Sequence, residues 1–185
     1  MEKKYKLTDE SIKFNNRTLY RIEALKDFRD VEKGDKGGFI EDEYNLSHDG
    51  NSWVYGDAMV YGNAIVYGNG MVCGDGMVYG NAIVYGNGRV YGNGMVYGNG
   101  MVYGDAMVCG AAKIENNSDY IVFKNWWSSG RYFTWTRSND MWKVGCFSGT
   151  GEELIKKAYQ DSEKSGREYE RIVKYVEEIK KDNGI

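Results

Sequence analysis

The stretch Met59 to Gly100, MVYGNAIVYGNGMVCGDGMVYGNAIVYGNGRVYGNGMVYGNG, restates one six-residue phrase with almost no variation. In M-V-Y-G-N-A the alternation points the first and third residues outward and Val inward over a short strand, and Gly-Asn then turns a corner. The sixth place is Ala or Gly, small enough to point inward. One such unit cannot bury its own apolar row, so a fixed short period means units stacked on one another.

The inward Val recurs without a break from Val54 through Val60, Val66 and onward to Val108. Residues 59–76 and 77–94 differ only at Met71/Arg89, Cys73/Tyr91 and Asp75/Asn93. The repeating unit is therefore a coil of three hexads, and all three differences fall in the same hexad. One side of a triangular prism answers to different demands from the other two, which predicts a left-handed parallel β-helix. A β-meander is the competing reading, because NG between apolar residues is a hairpin signal. Its turns would all be alike, and the longer period would have no cause.

Outward from this block, Ile40, Leu46 and Ile114 extend the inward row to thirteen places, and Tyr120 falls on the next. That is a little over four coils, a prism about 20 Å tall at ~4.8 Å per coil. Eight residues separate Leu46 from Val54, which predicts a two-residue bulge around SHDGNS. Such a short prism needs capping at its ends. The expected organisation is an N-terminal cap hairpin over residues 1–38, turning at Asn15-Asn16, the β-helix over 39–119, and a C-terminal α+β module over 120–185. In the module, YIVFKNWWSSGRYFTWTRSNDMWKVGCF reads as three antiparallel strands. TGEE at Thr150 to Glu153 is a capping box opening a first helix, and a second carries Tyr169, Ile172, Val176 and Ile179 on one face.

The net charge of −3 argues against a polyanion binder working through bulk charge. The N-terminus has no apolar core of signal-peptide length, and no apolar run reaches the ~18 residues needed to span a membrane, so a soluble, cytosolic protein is expected. Cys73, Cys109 and Cys146 lack any C-x-x-C spacing, and the expectation is reduced thiols with no metal and no cofactor.

Two outward surfaces are too apolar to face water alone. One carries Met59, Met77 and Met95 with Tyr61, Tyr79 and Tyr97; the next carries Ile65, Ile83 and Met101 with Tyr67, Tyr85 and Tyr103. Contiguous apolar patches mark interfaces, so a homotrimer is expected, the alternative being a cover supplied by the chain's own C-terminal segment. On the third side, Arg89 is the only cation between Trp53 and Ala112. It either pairs with a carboxylate or stacks on Tyr91, or it contacts a ligand together with Tyr91 and Asp75. The smaller Cys73 and Cys109 make room for something packed there. In the module, Trp126, Trp127, Trp135 and Trp142 alternate with Lys124, Arg131, Arg137 and Lys143. The pattern fits either a compact aromatic core with a charged rim or a nucleobase and phosphate clamp built on Arg131, Trp135, Arg137 and Lys143.

TLYRIEALKDF, GDKGGFIEDEYNLS, WVYGDAMVYGNA and GCFSGTGEELIKKA resemble hexapeptide-repeat proteins of tailed phages and prophages, related to the YdcK-like proteins. That resemblance implies a β-helix that is often described as a transferase through the repeat it shares with acyltransferases. Acyl transfer from acetyl-CoA there generally uses a His base, and the one His is His48, in the bulge. The reading preferred on the residues is a non-enzymatic protein that sequesters a host factor or a nucleotide signal to counter host defence; the others are the acyltransferase and a structural or scaffold protein.

Overall fold

A computed structural model describes residues 2–184. The chain is mainly β. Strands β1 (Tyr5–Phe14) and β2 (Arg17–Ala24) form an antiparallel hairpin that turns at Asn15 and Asn16, both in the left-handed region with φ of 48° and 62°. Strand β3 (Lys36–Ile40) enters a β-solenoid whose strands are two residues long: β4 (Trp53–Val54), β5 (Met59–Val60), β6 (Ile65–Val66), β7 (Met71–Val72), β8 (Met77–Val78), β9 (Ile83–Val84), β10 (Arg89–Val90), β11 (Met95–Val96), β12 (Met101–Val102), β13 (Met107–Val108) and β14 (Lys113–Ile114). They stack in three parallel sheets, with Met59 beside Met77, Ile65 beside Ile83 and Trp53 beside Met71. Parallel pairing one coil apart excludes the meander.

Each hexad places its Val on the axis, and Val54 through Val108 are all fully buried. Burying one such side chain stabilises by roughly 1.5–3 kcal/mol, so the axial row is the solenoid's main source of stability. The corner requires a backbone that only Gly adopts readily: from Gly56 to Gly110 the fourth residue of every hexad has φ between 59° and 72°. Outside, Tyr61, Tyr79 and Tyr97 stack at 5.1 and 5.4 Å, and Tyr67, Tyr85 and Tyr103 at 5.1 and 5.3 Å. At two corners the Asn amides form ladders, Asn63 to Asn81 to Asn99 and Asn51 to Asn69 to Asn87.

The two ends of the solenoid differ in polarity. Hydrogen bonds run from amides of one coil to carbonyls of the next, as from Met59 N to Gly76 O and from Tyr61 N to Val78 O. Carbonyls are therefore left over at the first coil and amides at the last. The hairpin supplies donors to the first. Lys4 Nζ, fully buried, donates to Ser52 O at 2.8 Å and Gly50 O at 3.4 Å; Tyr5 OH donates to Leu46 O at 2.7 Å; Arg21 Nη1 donates to Gly56 O at 3.1 Å. Desolvation lowers the Lys4 ammonium to a pKa of about 8. The last coil receives acceptors. Asn117 Oδ1 takes Met101 N at 3.2 Å, Thr134 Oγ1 takes Met107 N at 2.9 Å, and Ser138 Oγ takes Lys113 N at 2.7 Å, one on each side of the prism.

The C-terminal sheet has four strands in sequential order rather than three: β15 (Tyr120–Lys124), β16 (Tyr132–Thr136), β17 (Met141–Val144) and β18 (Phe147–Gly149). Gly145, at φ 56°, reverses the chain, and Phe147 pairs back on Val144. Tyr120 opens β15 after a 3-10 turn at Asn117–Asp119 and does not continue the coil; its buried ring closes the end of the core, edge-on to Tyr103 at 6.4 Å. Helices α1 (Gly151–Asp161) and α2 (Glu163–Asp182) cover one face of this sheet. The capping box forms, with Thr150 Oγ1 accepting from Glu153 N and Glu153 Oε2 accepting from Thr150 N. On α2 the buried row is Tyr169, Val173 and Val176, while Ile172 and Ile179 are only half-buried.

If side-chain acceptors hold the last coil, Thr134→Val, which keeps the shape and removes the acceptor, costs about 1–3 kcal/mol and speeds amide exchange at Met107 by a matching factor. Exchange at Met107 unchanged from wild type would refute the capping role.

Candidate functional site

The column Trp53, Met71, Arg89 and Met107 runs up the side on which the repeat varies. At the first coil the connection between β2 and β3 covers it. The Phe28 ring meets Trp53 edge-on at 5.3 Å, and Tyr55 OH donates to Asp30 Oδ1 at 2.7 Å. At the last coils the C-terminal sheet docks on it: Lys143 Nζ stands 5.4 Å from the centre of the Tyr91 ring, and Ser148 Oγ lies 3.7 Å from Cys109 Sγ. A tyrosine at 109 would occupy the space taken by β18. Burial, with Cys109 beside it, holds the Tyr91 hydroxyl far above its ordinary titration range, and burial also raises the Cys73 thiol, against the pull of Arg89. Such a thiol is a poor nucleophile at neutral pH.

Between the two covers Arg89 remains exposed. It faces a groove of about 730 Å³ with Asn87, Asp105 and Met107 on the solenoid wall and Arg131, Tyr132 and Cys146 on the wall of the module. Arg131 is presented by a turn organised around Asn125, whose Oδ1 accepts from Ser128 N at 3.0 Å and whose Nδ2 donates to Tyr169 OH at 3.1 Å, anchoring the turn to α2. A Cβ on Gly145 would lie 3.9 Å from Arg131 Nη1, so the β17–β18 turn sits beside the guanidinium. Among the described residues neither Arg89 nor Arg131 is ion-paired. The carboxylate in the groove, Asp105, accepts from Asn87 Nδ2 at 3.1 Å as the last rung of the corner ladder.

Of the residues singled out in the sequence, the fold thus joins Arg89 to Arg131 in one groove and Tyr91 to Lys143 in one contact. Trp135 is corrected: at 2% exposure it belongs to the core under the helices, its Nε1 donating to Asp140 Oδ1 at 2.8 Å, and its ring cannot stack on a ligand. Trp127 and Trp142 are buried with it, and Trp126 alone of the four is exposed. The rim-and-core reading therefore describes the aromatic cluster. Asp75 stands at an exposed corner, and Arg137 lies in the β16–β17 turn; neither lines the groove. His48 is packed beneath the hairpin. Its ring stacks on Tyr5 at 4.3 Å, Nδ1 accepts from Lys4 N at 3.2 Å, and Nε2 lies 3.8 Å from Glu43 Oε2.

Asp105, Tyr132 and Cys146 escaped the sequence reading. Asp105 left a signal, since it is the acid in a corner column that otherwise reads Asn51, Asn69, Asn87. Tyr132 and Cys146 left none, because only docking of the module brings them to the solenoid.

The family model described as the YdcK β-solenoid repeat matches residues 54–68, 58–74 and 77–92. The chain carries the YdcK-type solenoid repeat. None of the curated proteins matches it. Arg89 falls inside the matched residues, whereas Asp105, Arg131 and Tyr132 fall outside them.

Proposed function

We propose that this protein works by binding rather than by chemistry, as a homotrimer of solenoids that captures a phosphate-bearing host factor or nucleotide signal. The observation that carries this reading is the groove where Arg89 and Arg131 converge from two separate parts of the chain with no carboxylate pairing either. An unpaired guanidinium is a strong donor to phosphate oxygens, and two of them on opposite walls favour an anion that bridges the groove. The resemblance to prophage proteins supports capture in the cytoplasm of an infected cell, where holding back a signal would blunt a defence response. Acyl transfer finds less support, since His48, its candidate base, is packed against Tyr5 and Lys4 at the other end of the solenoid.

The trimer rests on the exposed rows. Tyr61 is covered by Phe14 of the chain's own hairpin, with ring centres 5.8 Å apart, while Ile65 and Tyr67 are 37% and 39% exposed. Side two, along Ile65, Tyr67, Ile83 and Tyr85, is the uncovered apolar face, and side one adds Met77, Tyr79, Met95 and Tyr97 above the hairpin. Light scattering at micromolar concentration is expected to give three chain masses, reduced by Tyr67→Glu; a wild-type monomer would remove the trimer from the proposal.

Binding is tested with tripolyphosphate by titration calorimetry. Each guanidinium contact is worth about 1.5–3 kcal/mol, so Arg89→Ala with Arg131→Ala weakens binding on the order of a hundredfold or more while leaving the thermal midpoint near wild type. Equal binding by the double variant would place the anion elsewhere.

A further inference from the structure

A second cavity, of about 470 Å³, lies on the far side of Tyr132 and is lined by Tyr103, Tyr120, Ile121 and Val122. It shares Asp105 and Tyr132 with the Arg89 groove. The chemistry changes sharply across that boundary. On one side stand two unpaired guanidiniums; on the other, beside Asn117, stand mainly aromatic and aliphatic side chains, with Tyr103 42% and Tyr132 40% exposed and Lys124 Nζ 5.6 Å from the centre of the Tyr132 ring. Tyr103 is the last ring of the ladder that begins at Tyr67, and Tyr120 meets it edge-on instead of continuing the stack. Between the halves, Asp105 is an acceptor. A carboxylate there opposes a polyphosphate that runs through both cavities and favours a ligand with hydroxyl or amino donors at its middle.

We infer that the two cavities form one bipartite cleft for a nucleoside phosphate, with the base against Tyr103 and Tyr132, the ribose hydroxyls at Asp105 and the phosphates on Arg89 and Arg131. Aromatic rings at one end, an acceptor at the centre and paired cations at the other match the order of groups along that ligand class. This assignment rests on the anion groove proposed above and adds the base and sugar subsites to it.

The test compares adenosine triphosphate, ribose 5-phosphate and tripolyphosphate on the full chain by titration calorimetry. Stacking on an aromatic side chain contributes about 1–3 kcal/mol per base, so the nucleotide is expected to bind at least tenfold more tightly than tripolyphosphate. Tyr103→Leu, a change in the second cavity and outside the Arg89 groove, should erase most of that preference while tripolyphosphate binding and the circular dichroism spectrum stay as in wild type. Equal affinity of wild type for nucleotide and tripolyphosphate overturns the base subsite and leaves the anion groove standing. Failure of all three ligands to bind overturns both.

Discussion

A parallel solenoid cannot satisfy its own ends. Each coil passes amides forward to the next coil's carbonyls, so the first coil keeps carbonyls without partners and the last keeps amides, and leaving either buried and unmet is costly. The chain meets the two deficits with opposite chemistry. Lys4, Tyr5 and Arg21 bring donors to the first coil, and Asn117, Thr134 and Ser138 bring acceptors to the last. Two of those acceptors lie on or beside β16, so the requirement at the last coil also fixes where the C-terminal sheet docks. His48 is packed within the first of these caps, against Tyr5 and Lys4.

Docking explains the variation in the repeat. Two sides keep Met or Ile and Tyr because their ladders stack on themselves coil after coil. The third side is covered at both ends by different pieces of chain, and its residues change to suit them: Trp53 lies under Phe28, Tyr55 holds Asp30, and Cys109 admits β18. Arg89 lies in the gap between the covers. Its charge, foreign to that column, shares the groove with Arg131, and among the described residues neither guanidinium is ion-paired.

Much of the architecture was legible in the sequence because it is local and repeated. The eighteen-residue period, the inward Val row, the Asn15-Asn16 turn and the capping box at Thr150 are each written in residues near one another. What depended on docking was not legible. The fourth strand hides behind Gly145, whose neighbours continue the apolar pattern of β17, and Tyr120 keeps the inward phase after the coil has ended. Trp135 lies between Arg131 and Arg137, which flank β16, as in a clamp, yet that spacing cannot say which face the helices will cover. Arg89 stood out as a lone cation in its column, but its partnership with Arg131 and Tyr132 spans more than forty residues and exists only once the module is seated.

The most direct test of the cleft is native mass spectrometry of the purified protein before and after addition of adenosine triphosphate, with Arg89→Ala/Arg131→Ala in parallel. The account predicts trimers that carry or take up one nucleotide per chain, and a double variant that remains trimeric and empty. Ligand-free monomers that acquire no nucleotide, or identical loading of wild type and variant, would contradict it.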